Sequence, residues 1–297
     1  IDFVFTRFPI DGASMQSADQ GRCPCDRCKR FTETEYHARL NIRCAEYIHA
    51  KYPRKLVAVS GWGMRFHDPA SLPHIVELSK QIDYLIDVRD SSRQSDGALR
   101  RRIIESLKCS FGTLGGPQVE PPQHWARDRW FLPTIRSVGD HLTQLHAEGG
   151  RACEWFYHIL ANPGDEISTW VAAKVLADPG TPWRRHLQTS IERIYRVSNA
   201  DHRDAVAEAF LAAEDAYIRH IPKFCGTISM EPLVSDKPGP PVYLTRRLNA
   251  QQRAQYGRDL QAARKQFERI LPDIPEKNRL RVILRAIDNV QKDIAQA

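Results

Sequence analysis

The chain has 297 residues, with 43 Lys and Arg against 36 Asp and Glu, a formal net charge of +7. At 42% apolar and 27% charged, its composition is that of a globular protein with ample apolar residue for a core. No run of eighteen apolar residues is present, so no membrane span is expected, and no charged-then-apolar leader opens the chain at Ile1. With no Met before Met15, a processed start or a piece of a longer protein is expected.

The run Ile1–Phe8 predicts a strand, ended by Pro9 and the Asp11-Gly12 turn. A long cysteine-bearing loop follows. Tyr36, Leu40, Cys44, Tyr47 and Ile48 recur at helical spacing and predict a helix over 34–51. Residues 55–60 predict a buried strand closed by Gly61-Trp62-Gly63. Ser71 is the expected cap of a helix carrying Leu72, Ile75, Val76 and Leu78. Further strands are predicted at 82–88, 109–114 and 151–157, with helices over 98–107 and 134–147 between them. Past Asn162 the pattern turns wholly helical: 167–176, 183–197, 201–218, 249–270 and 275–294. Leu211, Ala212, Ala213, Ala216 and Tyr217 suit a tight helix–helix seam, and Asn249 suits an N-cap. The Pro/Gly-rich stretch 225–242 reads as a linker or extended arm.

Near-continuous apolar strands separated by helices predict parallel β/α units. The expected fold class is therefore α/β, a (β/α) TIM-type barrel incomplete at its N-terminus, followed by an α-helical region. A closed eight-stranded barrel needs about three more strands, expected upstream of Ile1. The expected domains are 1–162 as the C-terminal part of the barrel, 163–222 as helices packed on it, and 223–297 as linker and C-terminal helices.

The positive charge is dispersed. Arg100, Arg101 and Arg102 form the one tight triplet before the C-terminal region, and there Asp259, Glu268, Asp273, Glu276 and Asp288 interleave with the bases. That pattern describes solvated helix faces, and no nucleic-acid partner is expected. Seven cysteines cannot all pair. Cys23, Cys25 and Cys28 sit together, and thiolates at C-x-x-C spacing can grip one zinc ion from a single turn. Cys44, His37 or Asp19 could supply a fourth ligand; a disulfide and free structural thiols are the competing readings.

Three features resemble a known family: the loop Asp19-Gln20-Gly21-Arg22-Cys23-Pro24-Cys25-Asp26-Arg27-Cys28, the Tyr52-Pro53 step into the strand Leu56–Val59, and the helix Trp170-Val171-Ala172-Ala173-Lys174-Val175-Leu176-Ala177-Asp178-Pro179. Over its first 220 residues the chain resembles the C-terminal part of a bacterial glycoside-hydrolase-like TIM barrel with a helical appendage. The family is a domain of unknown function with a C-x-C-x-x-C loop, related to α-glucuronidases and hexosaminidases. The resemblance implies an exported carbohydrate-active protein. The hexosaminidase Gly-Asp-Glu run is absent, and Arg7-Phe8-Pro9-Ile10-Asp11 stands there instead.

Glycoside cleavage needs one carboxyl group to protonate the leaving oxygen and another to attack or to activate water. Acids at predicted strand ends are Asp11, Asp87, Asp90 and Glu154. Alternation can turn Asp87 away from the lumen, so Asp90 and Glu154 are the first catalytic pair, with Asp11 in reserve. A turn or an ion pair with Arg7 or Arg89 is the ordinary alternative for each acid. Trp62, His67, Trp155 and Tyr157 are the sugar-facing candidates, and Arg89 could pair with a uronic carboxylate. Trp125, Arg127 and Trp130 could form a rim. The expected function is a glycoside hydrolase acting on an oligosaccharide or polysaccharide, with no cofactor required and a structural zinc as an option. The alternatives are a non-catalytic carbohydrate-binding or interaction module on a degenerate barrel and, from the cysteine loop and the +7 charge, a zinc-dependent or nucleic-acid-associated protein.

Overall fold

The computed structural model describes residues 1–16, 21–66, 68–87, 97–115, 131–155, 162–220 and 248–297. The chain divides into two units, residues 1–114 with 144–154, and residues 115–143 with 155–297.

The first unit holds α1 (Asp2–Arg7), β1 (Gly12–Met15), α2 (Asp26–Lys29), α3 (Glu33–Lys51), β2 (Leu56–Ser60), α4 (Leu72–Ser79), β3 (Tyr84–Asp87), α5 (Gly97–Ser106), β4 (Ser110–Gly115) and β5 (Ala152–Trp155). The strands form one parallel sheet in chain order, curled into a half-barrel. This shows the α/β class at the level of a five-stranded half-barrel.

Cross-strand partners share a face, because side chains alternate along each strand. Val59 stands level with Leu85, and Leu85 with Phe111. These three and Val57 are fully buried, and α3 packs against β2 and α4. Each such side chain contributes roughly 1.5–3 kcal/mol by leaving water. The opposite face carries Ala58, Ser60, Tyr84, Ile86 and Gly112.

Residues 2–7 form a helix where the sequence predicts a strand. Tertiary contacts decide this. Asp2 accepts hydrogen bonds from Tyr47 and Tyr52 and pairs with Lys51. Phe5 is the buried residue of the turn, edge-on to Tyr52 at 5.1 Å. Pro9 then forces the preceding Phe8 into extended backbone (φ −122°, ψ 138°). The first strand moves to Gly12–Met15, read from sequence as turn and loop. Gly12 permits this, since a Cβ there would lie 2.2 Å from the Leu56 carbonyl oxygen. Ser71 also departs from expectation: it makes no side-chain cap, and its hydroxyl donates instead to Thr34 Oγ1 at 3.0 Å.

The second unit contains α7 (Gly164–Ala177), α8 (Trp183–Tyr195), α9 (Ala200–Ile218), α10 (Ala250–Ile270) and α11 (Lys277–Gln296), while the division between units runs through α6 (Ile135–Ala147). Asn249 caps α10 in a reciprocal box with Gln252. Phe131, Phe210, Phe267 and Tyr195 build the core, with ring centroids 5.0 to 6.1 Å apart. Ala213, Ala216 and Ala263 are fully buried, and α9 and α10 pack closely. The 225–242 arm lies outside the described residues. No helix among the described residues is long and apolar enough to cross a membrane.

Glu214 on α9 closes the start of α6. Its carboxylate accepts from the Arg136 and Ser137 amides and from the Ser137 hydroxyl, at 2.7 to 2.9 Å. Burial pushes this carboxyl up, and the three donors pull it back. Glu214→Ala leaves those donors unsatisfied in the interior, so a loss of about 3 kcal/mol or more is expected in urea unfolding.

Candidate functional site

Parallel strands send their C-terminal ends to one edge of the sheet, where β/α proteins place their chemistry. Glu154 lies next to the end of β5, and Ser60 ends β2. The Ser60 hydroxyl lies near enough to the Glu154 carboxyl to lower its pKa. Two strands, β3 and β4, separate them. In a flat sheet three strand spacings amount to about 14 Å. Curl is what brings the two side chains together, and it places Glu154 on the concave face with Ser60, Ile86 and Gly112. Glycine at 112 is required: a Cβ there would stand 2.5 Å from the Ala152 carbonyl oxygen.

Glu154 is half-buried, and its Oε2 is buried with no hydrogen-bond partner. No ion pair to it occurs among the described residues. Burial pushes its pKa above the ordinary carboxyl value, and the nearby Ser60 hydroxyl offsets part of this. The group therefore holds its proton more tightly folded than unfolded. Its contribution to stability is present at low pH and fades as pH rises through the folded value. Glu154→Gln is expected to flatten this fall when urea unfolding is followed from about pH 4 to 8.

The other proposed site residues divide clearly. Trp62 is half-buried on the loop leaving β2, between Gly61 and Gly63. Gly61 is enforced by the Phe66 ring, 2.4 Å from where a Cβ would sit, and Gly63 by φ of 85°. That loop is tied to the first turn of α3 by the Arg65 amide donating to Thr34 Oγ1 at 3.1 Å. Asp11 is a correction. It precedes β1, so it lies exposed at the leading edge of the sheet, the end opposite Glu154. Its expected place depended on a strand over residues 1–8. Asp87 is buried in phase with Leu85 on the helix-covered face. Asp90, Arg89, His67, Tyr157, Trp125, Arg127 and Trp130 lie outside the described residues, and Trp155 is described only as the last residue of β5.

Sequence reasoning missed Ser60. A hydroxyl ending an otherwise apolar strand was the available signal.

The cysteine loop connects β1 to α3 and so leaves the same edge of the sheet. The sulfurs of Cys23, Cys25 and Cys28 lie within 4.8 Å of one another. Sulfurs 2.3 Å from a shared tetrahedral ion stand about 3.8 Å apart, so the three are close to a metal-binding arrangement. Cys25 precedes the single turn of α2; the Cys28 amide donates to its carbonyl oxygen at 3.0 Å, and that amide and the Cys23 and Cys28 thiols lie near enough to favour its thiolate. These neighbours lower its pKa to about 7, while the proximity of Cys25 raises Cys28 to about 11. Arg22 braces the loop by donating to the Lys29 and Phe31 carbonyls. Of the expected fourth ligands, Cys44 and His37 do not join the group, and Asp19 lies outside the described residues. His37 is buried on α3 with neither ring nitrogen hydrogen-bonded, and burial lowers its pKa. In metal-free protein, alkylation is expected to fall first on Cys25, with its rate rising to half-maximum at about pH 7. Peptide mapping of the labelled chain reads this directly.

In comparisons with known proteins, no family model matches the chain, and no curated protein matches it.

Proposed function

We propose that the protein is a glycoside hydrolase of the β/α-barrel type, and that the concave C-terminal edge of the half-barrel is its sugar cup. The observation that carries this reading is Glu154: a half-buried carboxyl on the concave face, raised in pKa, with Oε2 unpartnered. A general acid for a glycosidic oxygen needs these properties, since it must hold a proton near neutral pH and release it to the leaving group. Trp62 on the neighbouring loop supplies an aromatic face for a pyranose ring. Asp90, three residues beyond the end of β3, is the proposed second carboxylate, acting as nucleophile or as base toward water.

The test is turnover on a panel of aryl glycosides and oligosaccharides. Glu154→Gln is expected to lower kcat by at least about a hundredfold while KM changes little. Substrates with activated leaving groups, which need no proton, should lose much less. Turnover unchanged in both Glu154→Gln and Asp90→Asn would overturn the assignment.

One observation favours a second reading, a non-catalytic carbohydrate-binding module. Among the described strand residues, Glu154 is the one acid on the concave face. Sugar binding without turnover in the wild-type chain would select it.

We further propose that Cys23, Cys25 and Cys28 hold a structural zinc, which pins the β1–α3 connection. Three thiolates and Zn²⁺ carry net charge −1, and the adjacent Arg22, Arg27, Lys29 and Arg30 offset it. Chelation is expected to remove one zinc per chain and to lower Tm, with zinc restoring it. Protein free of zinc at stoichiometric level, with Tm indifferent to chelator, would refute the site.

A further inference from the structure

Cys25 and Cys28 bracket the single turn of α2, and the Cys28 amide closes that turn on the Cys25 carbonyl oxygen at 3.0 Å. Such a closure holds Cα atoms three residues apart to less than about 7 Å. Cα atoms joined by a disulfide stand about 4.4–6.8 Å apart, so the turn already suits a bond between the two sulfurs. The sulfurs themselves lie within 4.8 Å of each other. Cys23 is placed differently. It precedes Cys25 across Pro24, and Cys25 is extended at φ −69° and ψ 157°, which carries the chain onward rather than folding it back. The turn is also braced: the Lys29 amide donates to the Cys25 carbonyl at 2.9 Å, and Arg22 donates to the Lys29 and Phe31 carbonyls. Access is open, since Cys25 is exposed while Cys23 and Cys28 are half-buried. A zinc site that only pins a fold surrounds its ion with four protein ligands. Among the described residues the trio offers three, one of them on an exposed residue.

We propose that Cys25 and Cys28 are an oxidation site: under hydrogen peroxide they close into a reversible disulfide, and closing it expels the zinc. The inference rests on the zinc reading of these cysteines and adds their regulation to it. The exposed Cys25 thiolate attacks one peroxide oxygen. An S–O bond forms, the O–O bond breaks, and the second oxygen leaves as water after taking a proton from solvent. The Cys28 thiolate then attacks the Cys25 sulfur. The S–S bond forms, the S–O bond breaks, and hydroxide leaves and takes up a second proton as water. The two sulfurs together lose two electrons, and one peroxide becomes two waters. Cys23 is then the one thiolate left of the trio, too few ligands for a tetrahedral ion, and Zn²⁺ passes to solvent. A small reductant returns the two electrons and reopens the site.

The experiment treats the full chain, loaded with zinc, with hydrogen peroxide. A metallochromic dye follows zinc release, and tandem mass spectrometry after blocking of free thiols maps the pair. Release of one zinc per chain in step with a Cys25–Cys28 disulfide is expected, with rebinding once a phosphine reductant and zinc are added. Cys23→Ser removes the other partner and should still give that disulfide. Cys28→Ser should abolish it and leave Cys25 as a sulfenic or higher acid. Circular dichroism reports whether each variant folds, and the wild-type chain alone decides the matter where one does not. Zinc retained with all three thiols intact, at peroxide levels that oxidise a small free thiol, would overturn the proposal while the zinc reading stands. A disulfide formed through Cys23 instead would do the same. A chain that binds no zinc yet forms the Cys25–Cys28 disulfide refutes the zinc reading and the release, and keeps the oxidation site.

Discussion

The curl of the sheet is the constraint from which the candidate site follows. Five short parallel strands, laid flat, would hold Ser60 and Glu154 about 14 Å apart, farther than any hydrogen bond. Curled, they turn the two side chains toward each other over Ile86 and the bare backbone of Gly112. Val57, Val59, Leu85 and Phe111 leave water together on one face, and α3 packs against β2. The inner face carries Ala58, Ser60, Tyr84, Ile86 and Gly112. A carboxyl group placed among them loses solvent without gaining a cation, and so it favours its protonated form.

Loops at the same edge follow from the same parallel arrangement. The connection from β1 to α3 carries the cysteine trio, and the connection from β2 to α4 carries Trp62. Both meet at the first turn of α3, where Thr34 accepts from the Arg65 amide and the Ser71 hydroxyl. Ser71 is better used there than as a helix cap, because Thr34 is buried and its hydroxyl needs partners. A metal on the cysteines would stiffen the one loop, while the glycines around Trp62 shape the other. The helical unit solves a separate problem with the same logic: Glu214 is tolerated in the interior because the open amides of α6 need an acceptor.

Much of the architecture was legible in residue pattern. Strands β2 to β5 and the long helices follow from apolar periodicity and from punctuation by Gly, Pro and Asn. Asn249 shows this well, since its capping box is a local device that needs no tertiary information. The opening segment was not legible. Its aromatic, β-branched run favours a strand, and Asp2 bound to Tyr47, Lys51 and Tyr52 overrides that preference from 45 to 50 residues away. Misplacing that strand also misplaced Asp11. The face of Glu154 could not be read from alternation, which fixes relative phase but not which side is inward. Ser60, whose hydroxyl lies near its carboxyl, comes 94 residues earlier, and only curvature brings the two together. The cysteine trio was legible because its members are adjacent in sequence.

The most direct test of this account is a crystal structure of the chain soaked with a short oligosaccharide. The account predicts a pyranose ring within hydrogen-bond reach of Glu154 Oε2, over the concave face. Ser60 and Glu154 on opposite faces of a flattened sheet, or a sugar bound only away from that edge, would contradict it.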